Sequence, residues 1–228
     1  MKRFYKEVSV TDARGILLDT RAVRTPKKAL LTLPNTALAD AVAEEWRAQG
    51  EEIKPETMKL TGLANAAIDV IIVDPTGFAT GLALYGESDL LCYRADDPPA
   101  LLMRYETEWE PLLAWAQARY DVTFTRVSGI MHQPQPRETL ARLATAIGSY
   151  PAFALAALSQ IVTISGSLVI ALAFAQGQIE ADAAFDAAHL DELWQAEQWG
   201  EDWMAADARA LRRADFAAAC HFLRLLDD

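Results

Sequence analysis

The chain has 228 residues, with 32 acidic against 21 basic side chains, three His, two Cys and 52% hydrophobic residues, for a net charge of -11. That composition excludes a disordered tail, a collagen and a disulfide scaffold, and a chain of this length buries enough apolar surface to fold as one large or two modest domains. The acidic balance argues against a nucleic-acid coat protein, because non-specific nucleic-acid affinity needs a basic surface.

Residues 4–10 alternate in part, residues 15–19 follow a polar turn, and residues 21–24 and 29–33 come next, which predicts an antiparallel sheet of short strands. Pro34-Asn35-Thr36 then stops the last strand and caps a helix. In it Leu38, Ala41, Val42 and Trp46 recur at helical spacing, so it covers one sheet face. Pro55 marks a boundary in composition: residues 1–54 carry 10 basic and 8 acidic groups, the remainder 11 and 24.

Beyond Pro55 helical periodicity dominates, beginning with the stripe Leu60, Leu63, Ala64, Ala67, Ile68 and Ile71. Further helices are predicted over residues 99–120, 136–148, 151–176 and 181–199 and from 201 onward, with short strands at 90–94 and 122–124. Leu102, Tyr105, Trp109, Leu112, Leu113 and Ala116 form a core stripe that takes Trp109 and Trp115 inward, and Pro111 bends that helix or starts a second. The fold class is α+β: a small, mostly antiparallel β domain with a covering helix (1–54) and a larger all-α domain (55–228).

Residues 152–175 are 24 positions without a charge, long enough to cross a bilayer. Their Ser159, Gln160, Thr163, Ser165, Gly166 and Ser167, and flanks without a Lys/Arg cluster, favour a helix buried all round, so no membrane insertion is expected. Ser165-Gly166-Ser167 permits a close crossing or a break. The first residues lack the apolar core of a signal peptide, and Cys92 and Cys220 match no C-x-x-C pattern. Both point to a reducing, cytoplasmic setting without structural zinc.

No phosphate loop, G-x-G-x-x-G, G-x-S-x-G or H-E-x-x-H motif is present. His189 with Asp191 and Glu192 is the one His–carboxylate cluster, and a metal-dependent small-molecule enzyme built on it is the alternative reading. Residues two and three apart on a helix do not all point one way, which favours a solvated surface. Residues 180–207 hold nine acidic residues and no Lys or Arg, with Trp194, Trp199 and Trp203 among them. Gly200 is expected to end one helix in a left-handed cap and Glu201-Asp202 to open the next. The tryptophans are either core or, beside unpaired acids, a binding surface. Lys2, Arg3, Lys6, Arg14, Arg21, Arg24, Lys27 and Lys28 are either a patch for an acidic partner or, the favoured reading, the solvated side of the small sheet.

Several stretches together resemble the assembly chaperones of the ATP synthase F1 sector that attend its alpha subunit. They are Leu18-Asp19-Thr20-Arg21-Ala22-Val23-Arg24-Thr25-Pro26, Ala43-Glu44-Glu45-Trp46, Thr57-Met58-Lys59-Leu60-Thr61-Gly62-Leu63-Ala64-Asn65-Ala66-Ala67-Ile68-Asp69, Asp89-Leu90-Leu91-Cys92-Tyr93-Arg94, Trp109-Glu110-Pro111-Leu112-Leu113-Ala114-Trp115 and Gln195-x-Glu197-x-Trp199-Gly200. The resemblance implies a bacterial, cytoplasmic, non-enzymatic protein without cofactor or metal. It implies binding to the unassembled alpha subunit at the surface later covered by beta, and release by competition without ATP hydrolysis. It also implies partner-binding residues near the carboxy-terminal Trp-Gly motif: Glu192, Glu197 and Glu201, with Trp199 as an anchor. Trp46 is expected to link helix to sheet, and the role suits a free monomer.

Overall fold

A computed structural model of the chain describes residues 1–129 and 131–227. Two compact units are present: the first comprises Met1–Pro75, Pro151–Ala157 and Ala218–Asp228, the second Thr76–Tyr150 and Leu158–Ala217.

In the first unit β1 (Val8–Val10), β2 (Ile16–Leu18) and β3 (Arg21–Ala22) form the expected antiparallel sheet, with Val8 opposite Leu18, Val10 opposite Ile16 and Leu18 opposite Arg21. The fourth predicted strand is reduced to isolated bridges, Arg24 with Leu30 and Gly15 with Thr32. Asp19 turns the chain between β2 and β3 at a φ of 53°, and its Oδ1 accepts from the amides of Lys6 (3.0 Å) and Glu7 (2.9 Å). Those two N–H bonds hold its carboxyl below the usual range, that from Glu7 most strongly.

Helix α1 (Thr36–Arg47) starts where Asn35 Oδ1 accepts from the Leu38 amide at 3.0 Å. Its Leu38, Ala39, Val42 and Ala43 are fully buried, and it packs on β1. A short 3-10 turn, Pro55–Thr57, leads into α2 (Lys59–Ala66), which widens into a π-helical turn over Ala67–Ile71. Helix α2 is capped from α1: Glu45 accepts from the amides of Leu60 and Thr61 and from the Thr61 hydroxyl, each at 2.7 Å. Two orphan helix-start donors are thus met by a carboxylate fifteen positions earlier. Residues 55–75 belong to the first unit, so the compact units do not follow the composition step at Pro55. Asp69, on the π turn, takes the Thr25 hydroxyl at 2.6 Å and the Lys27 amide at 2.9 Å.

The second unit is helical. Helix α3 (Pro75–Ala83) leads through a 3-10 turn to a second such turn, Leu90–Cys92, where a strand was expected; only Tyr93–Arg94 (β4) is extended, and it pairs in parallel with β5 (Val127–Ser128). The other expected strand, residues 122–124, pairs with no strand among the described residues. Side chains satisfy its backbone instead: the Thr139 hydroxyl accepts from the Thr123 amide and donates to the Thr123 carbonyl, and Gln135 does the same for Thr125.

The predicted helix 99–120 is two, α4 (Pro99–Glu108) and α5 (Glu110–Tyr120), with Pro111 in the first turn of the second. Trp109 sits at the break, 1% exposed, stacked on Tyr105 at 4.3 Å and donating from Nε1 to the Ala187 carbonyl at 2.8 Å. Trp115, expected inside, is only half-buried and meets Tyr120 edge-on. Helix α6 (Arg137–Gly148) follows.

The apolar run then divides into α7 (Ala152–Ser165) and α8 (Leu168–Ala175) at Gly166, whose φ is +66°. Every residue from Leu168 to Phe174 is buried. Ser167 caps α8, its Oγ accepting from the Ile170 amide at 3.0 Å and donating to Asp89 Oδ1 at 2.7 Å. Asp89, wholly buried, also accepts from the Val169 amide at 2.9 Å and the Leu91 amide at 3.1 Å, and Leu90 N–H reaches the Gly166 carbonyl at 3.0 Å. The break is therefore pinned by the segment that precedes β4. Among the described residues no single helix is long and apolar enough to cross a membrane.

The predicted helix 181–199 also divides, into α9 (Ala181–Ala188) and α10 (Leu190–Trp199), with His189 between them at φ -113°, ψ 20°. Helix α11 (Trp203–Arg224) closes the chain. Helices α7 and α11 each contribute residues to both units.

Candidate protein interface on the carboxy-terminal helices

Helix α10 stops at Gly200, which has a positive φ of 90° with ψ 160°, extended rather than the expected left-handed helical cap; its N–H still closes the last turn on the Ala196 carbonyl at 2.9 Å. Two residues later Asp202 Oδ1 accepts from the Met204 amide at 2.8 Å and starts α11. Several large apolar side chains at this break and along the start of α11 face outward. Trp199 is 79% exposed, Trp203 72%, Met204 62% and Leu211 69%. Met204 and Leu211 lie seven positions apart, on one stripe of α11. A monomer gains nothing from leaving two indoles in water, since each buries a large apolar area when covered.

The acidic residues are held by arginines rather than left unpaired. Glu192 receives Arg209 at 3.0 Å and Arg212 at 2.7 Å. Arg209 also pairs with Glu201, joining the two carboxylates through one guanidinium. Glu197 takes both nitrogens of Arg104, at 3.0 and 2.5 Å, and that guanidinium lies 5.0 Å over the Trp194 ring. Trp199 borders a cleft of about 380 Å³ that it shares with Trp194, Tyr105, Asp191 and Arg94. Of the four residues expected in a binding site, Trp199 is open to solvent and Glu197 and Glu201 keep about half of their side-chain surface, 49% and 54%, while Glu192 keeps 33%.

The His–carboxylate cluster is pulled three ways. His189 is buried, donates from Nδ1 to the Phe185 carbonyl at 2.9 Å and stacks on the Phe185 ring; burial pushes its pKa down. Asp191 accepts from the Tyr105 hydroxyl, whose pKa is raised by burial and then by that carboxylate, and Glu192 faces its two arginines. Among the described residues no group of three or more His, Cys, Asp and Glu side chains is placed to hold a metal ion. Cys92 is buried with its thiol pushed up to about 12 by burial, far from the depressed value of a nucleophilic thiolate.

Sequence reasoning missed Met204 and Leu211, which their seven-residue spacing signals, and missed the arginines. Arg209 and Arg212 lie just past the acidic window, and Arg104 comes from α4, 93 positions before Glu197.

Residues 2–117 match the family model described as ATP12 chaperone protein. The crystal structure of the Atu1473 protein from Agrobacterium tumefaciens is similar at a TM-score of 0.92 and 43% identity, covering 99% of this chain and 86% of that one. The crystal structure of Atp12 from Paracoccus denitrificans is similar at a TM-score of 0.91 and 38% identity, covering 98% and 97%, and its D202K mutant gives the same values.

Proposed function

The chain belongs to the ATP12 chaperone family, and from that premise we propose that it is an assembly chaperone of the ATP synthase F1 sector that binds the unassembled alpha subunit. The client surface is the one that the beta subunit later covers. A subunit destined for a hetero-oligomeric ring exposes interface before assembly, and such surface associates wrongly unless it is occupied. Release needs no ATP hydrolysis by the chaperone, because an incoming beta subunit that binds more tightly displaces it. The protein works in the cytoplasm, as a monomer when free.

The observation that carries this reading is the pair of tryptophans, Trp199 and Trp203, left 79% and 72% exposed at the junction of α10 and α11. Large aromatic rings at the centre of a patch, ringed by charged side chains, are what hot spots of protein interfaces are made of. Glu197 and Glu201 supply the rim. Their present partners are Arg104, partly exposed, and Arg209, largely buried, so a basic group on the client exchanges one ion pair for another and gains selectivity more than affinity. Glu192 holds Arg209 in place behind Glu201.

Co-expression with tagged alpha and beta subunits, followed by affinity capture and size-exclusion chromatography, tests partner and selectivity together. A complex with alpha alone that is lost when beta is added is the expected result. Failure of either subunit to capture the protein, with both soluble, overturns the reading.

A further inference from the structure

The cleft beside Trp199 is lined by residues of the second unit alone, from 93–105 and 191–199, and holds about 380 Å³. That is the small end of the range for ligand pockets, about 300–1,000 Å³, and suits one long side chain rather than a folded element. Its wall is aromatic and acidic: Tyr93, Tyr105, Trp194 and Trp199 line it together with Asp97 and Asp191. The one cation among its described lining residues, Arg94, is already engaged. It bonds to Glu110 at 2.8 Å and to the Leu91 carbonyl at 3.1 Å, with 12% of its side chain exposed.

Elsewhere in this unit aromatic rings and carboxylates are brought together by a guanidinium. Arg94 lies 5.4 Å over Tyr105 and 5.3 Å over Trp109 and pairs with Glu110. Arg104 lies 5.0 Å over Trp194 and pairs with Glu197, and Arg213 lies 4.3 Å over Phe185 and pairs with Asp182 and Asp186. The cleft beside Trp199 has the ring and the carboxylates without the cation. Among the described residues no guanidinium lies over the Trp199 ring, which is 79% exposed, and the exposed Asp97 has no hydrogen-bond or ion-pair partner. Asp191 accepts from the neutral Tyr105 hydroxyl and pairs with no cation. An exposed ring or an exposed carboxylate alone is ordinary; lining one cleft, they are complementary to a planar cation.

We infer that this cleft is a pocket for an arginine side chain of the client, whose guanidinium stacks on the Trp199 indole and donates to Asp97, with Asp191 adding a second negative charge. A guanidinium suits it because the group is planar: one face covers a ring while the N–H groups in its plane reach a carboxylate. An ammonium is a strongly hydrated point charge and does both less well. An acidic side chain would meet two like charges, and an apolar one would leave both carboxylates without a partner. The inference deepens the chaperone reading and rests on it in one respect, that the guanidinium comes from the client polypeptide.

Asp97→Asn is the decisive variant. It removes the charge and keeps the shape at an exposed residue that bonds to no described side chain, so the melting temperature is expected to hold. The probe is N-acetyl-arginine amide, and the readout is the indole N–H cross-peak of Trp199 in nitrogen-15 labelled protein, assigned by its loss in Trp199→Phe. The probe is expected to move that peak saturably in the wild type, and with about threefold weaker affinity in Asp97→Asn. N-acetyl-citrulline amide, of the same shape without the charge, leaves the peak in place. N-acetyl-lysine amide binds more weakly than the arginine probe.

No saturable movement in the wild type overturns the site, as does an affinity unchanged in Asp97→Asn. An equal response to the citrulline amide overturns its assignment to a cation, and equal affinity for the lysine amide its assignment to arginine. Binding of the alpha subunit is measured in parallel and is expected to weaken in Asp97→Asn by a similar factor. Alpha binding that is unchanged while the probe weakens overturns the client as the source of the guanidinium. A wild type that captures alpha while its Trp199 peak ignores the arginine probe loses this inference and keeps the chaperone reading. Failed capture with the arginine response intact removes the client and leaves the arginine pocket standing.

Discussion

Asp89 shows how a single residue holds the second unit at its centre. Burial pushes its carboxyl up to about 6 from 3.8, although the Val169 amide and the Ser167 hydroxyl bond the charged form. A carboxyl whose folded value is raised binds its proton more tightly in the folded state. Its contribution is fully favourable below the unfolded value, falls as pH rises between 4 and 6, and is flat above. Asp89→Asn removes the titration and introduces a fixed penalty, because its amide nitrogen meets the Val169 N–H. Urea melts of both proteins are therefore expected to converge as pH rises from 4 to 7, the variant gaining on the wild type by about 3 kcal/mol. A gap that is constant with pH shows that Asp89 is not the titrating group. In the first unit Glu45 has the comparable part, with three bonds to the start of α2. Glu45→Ala leaves two helix-start amides bare, and a loss of about 2 kcal/mol in the same melts is expected.

At the scale of elements, breaks matter as much as helices. Gly166 parts α7 from α8 at a φ of +66°, where a Cβ would meet Leu90 at an ordinary 3.8 Å. Crowding is not the obstacle; backbone strain is, and Gly166→Ala is expected to lower stability by about 1–2 kcal/mol in chemical denaturation. An unchanged midpoint shows that the break relaxes without it. These breaks mark what the sequence makes legible. Ser165-Gly166-Ser167 allowed a close crossing or a break, Pro111 a bend or a new start, Asn35 and Asp202 signalled helix starts, and the alternation of the first third its sheet, because each signal lies within a few residues of its effect. Others do not. The cap that Glu45 gives α2, the pin that Asp89 sets across residues 165–169, and the arginines facing Glu192, Glu197 and Glu201 join positions from eight to more than ninety apart. Nothing local distinguishes those acids from solvated ones. Residues 122–124 had strand composition but found side chains, Thr139 and Gln135, in place of a neighbouring strand.

At the scale of the molecule, the acidity of the chain and its exposed indoles coincide in one stretch, residues 180–207, while the first 54 residues are nearly neutral. Charge that steers and aromatic area that binds are different properties, and they respond differently to mutation. Reversing Glu192 and Glu201 is a poor probe, because it would set lysines against Arg209, whose side chain is only 11% exposed, and so strain the fold along with the interface. Trp199 and Trp203 are the cleaner targets. Both are largely in water, so Trp199→Ser with Trp203→Ser removes little packing, and the melting temperature is expected to hold or rise slightly. If the indoles anchor the alpha subunit, each supplies about 2 kcal/mol or more, and the double variant binds it at least a hundredfold more weakly by surface-bound kinetics, mostly through faster dissociation. Raising the salt concentration on the wild type should instead slow association, which is where rim charges act. A double variant that binds alpha as the wild type does, with its fold intact, moves the client surface away from α10 and α11 and leaves the two indoles without the role proposed for them.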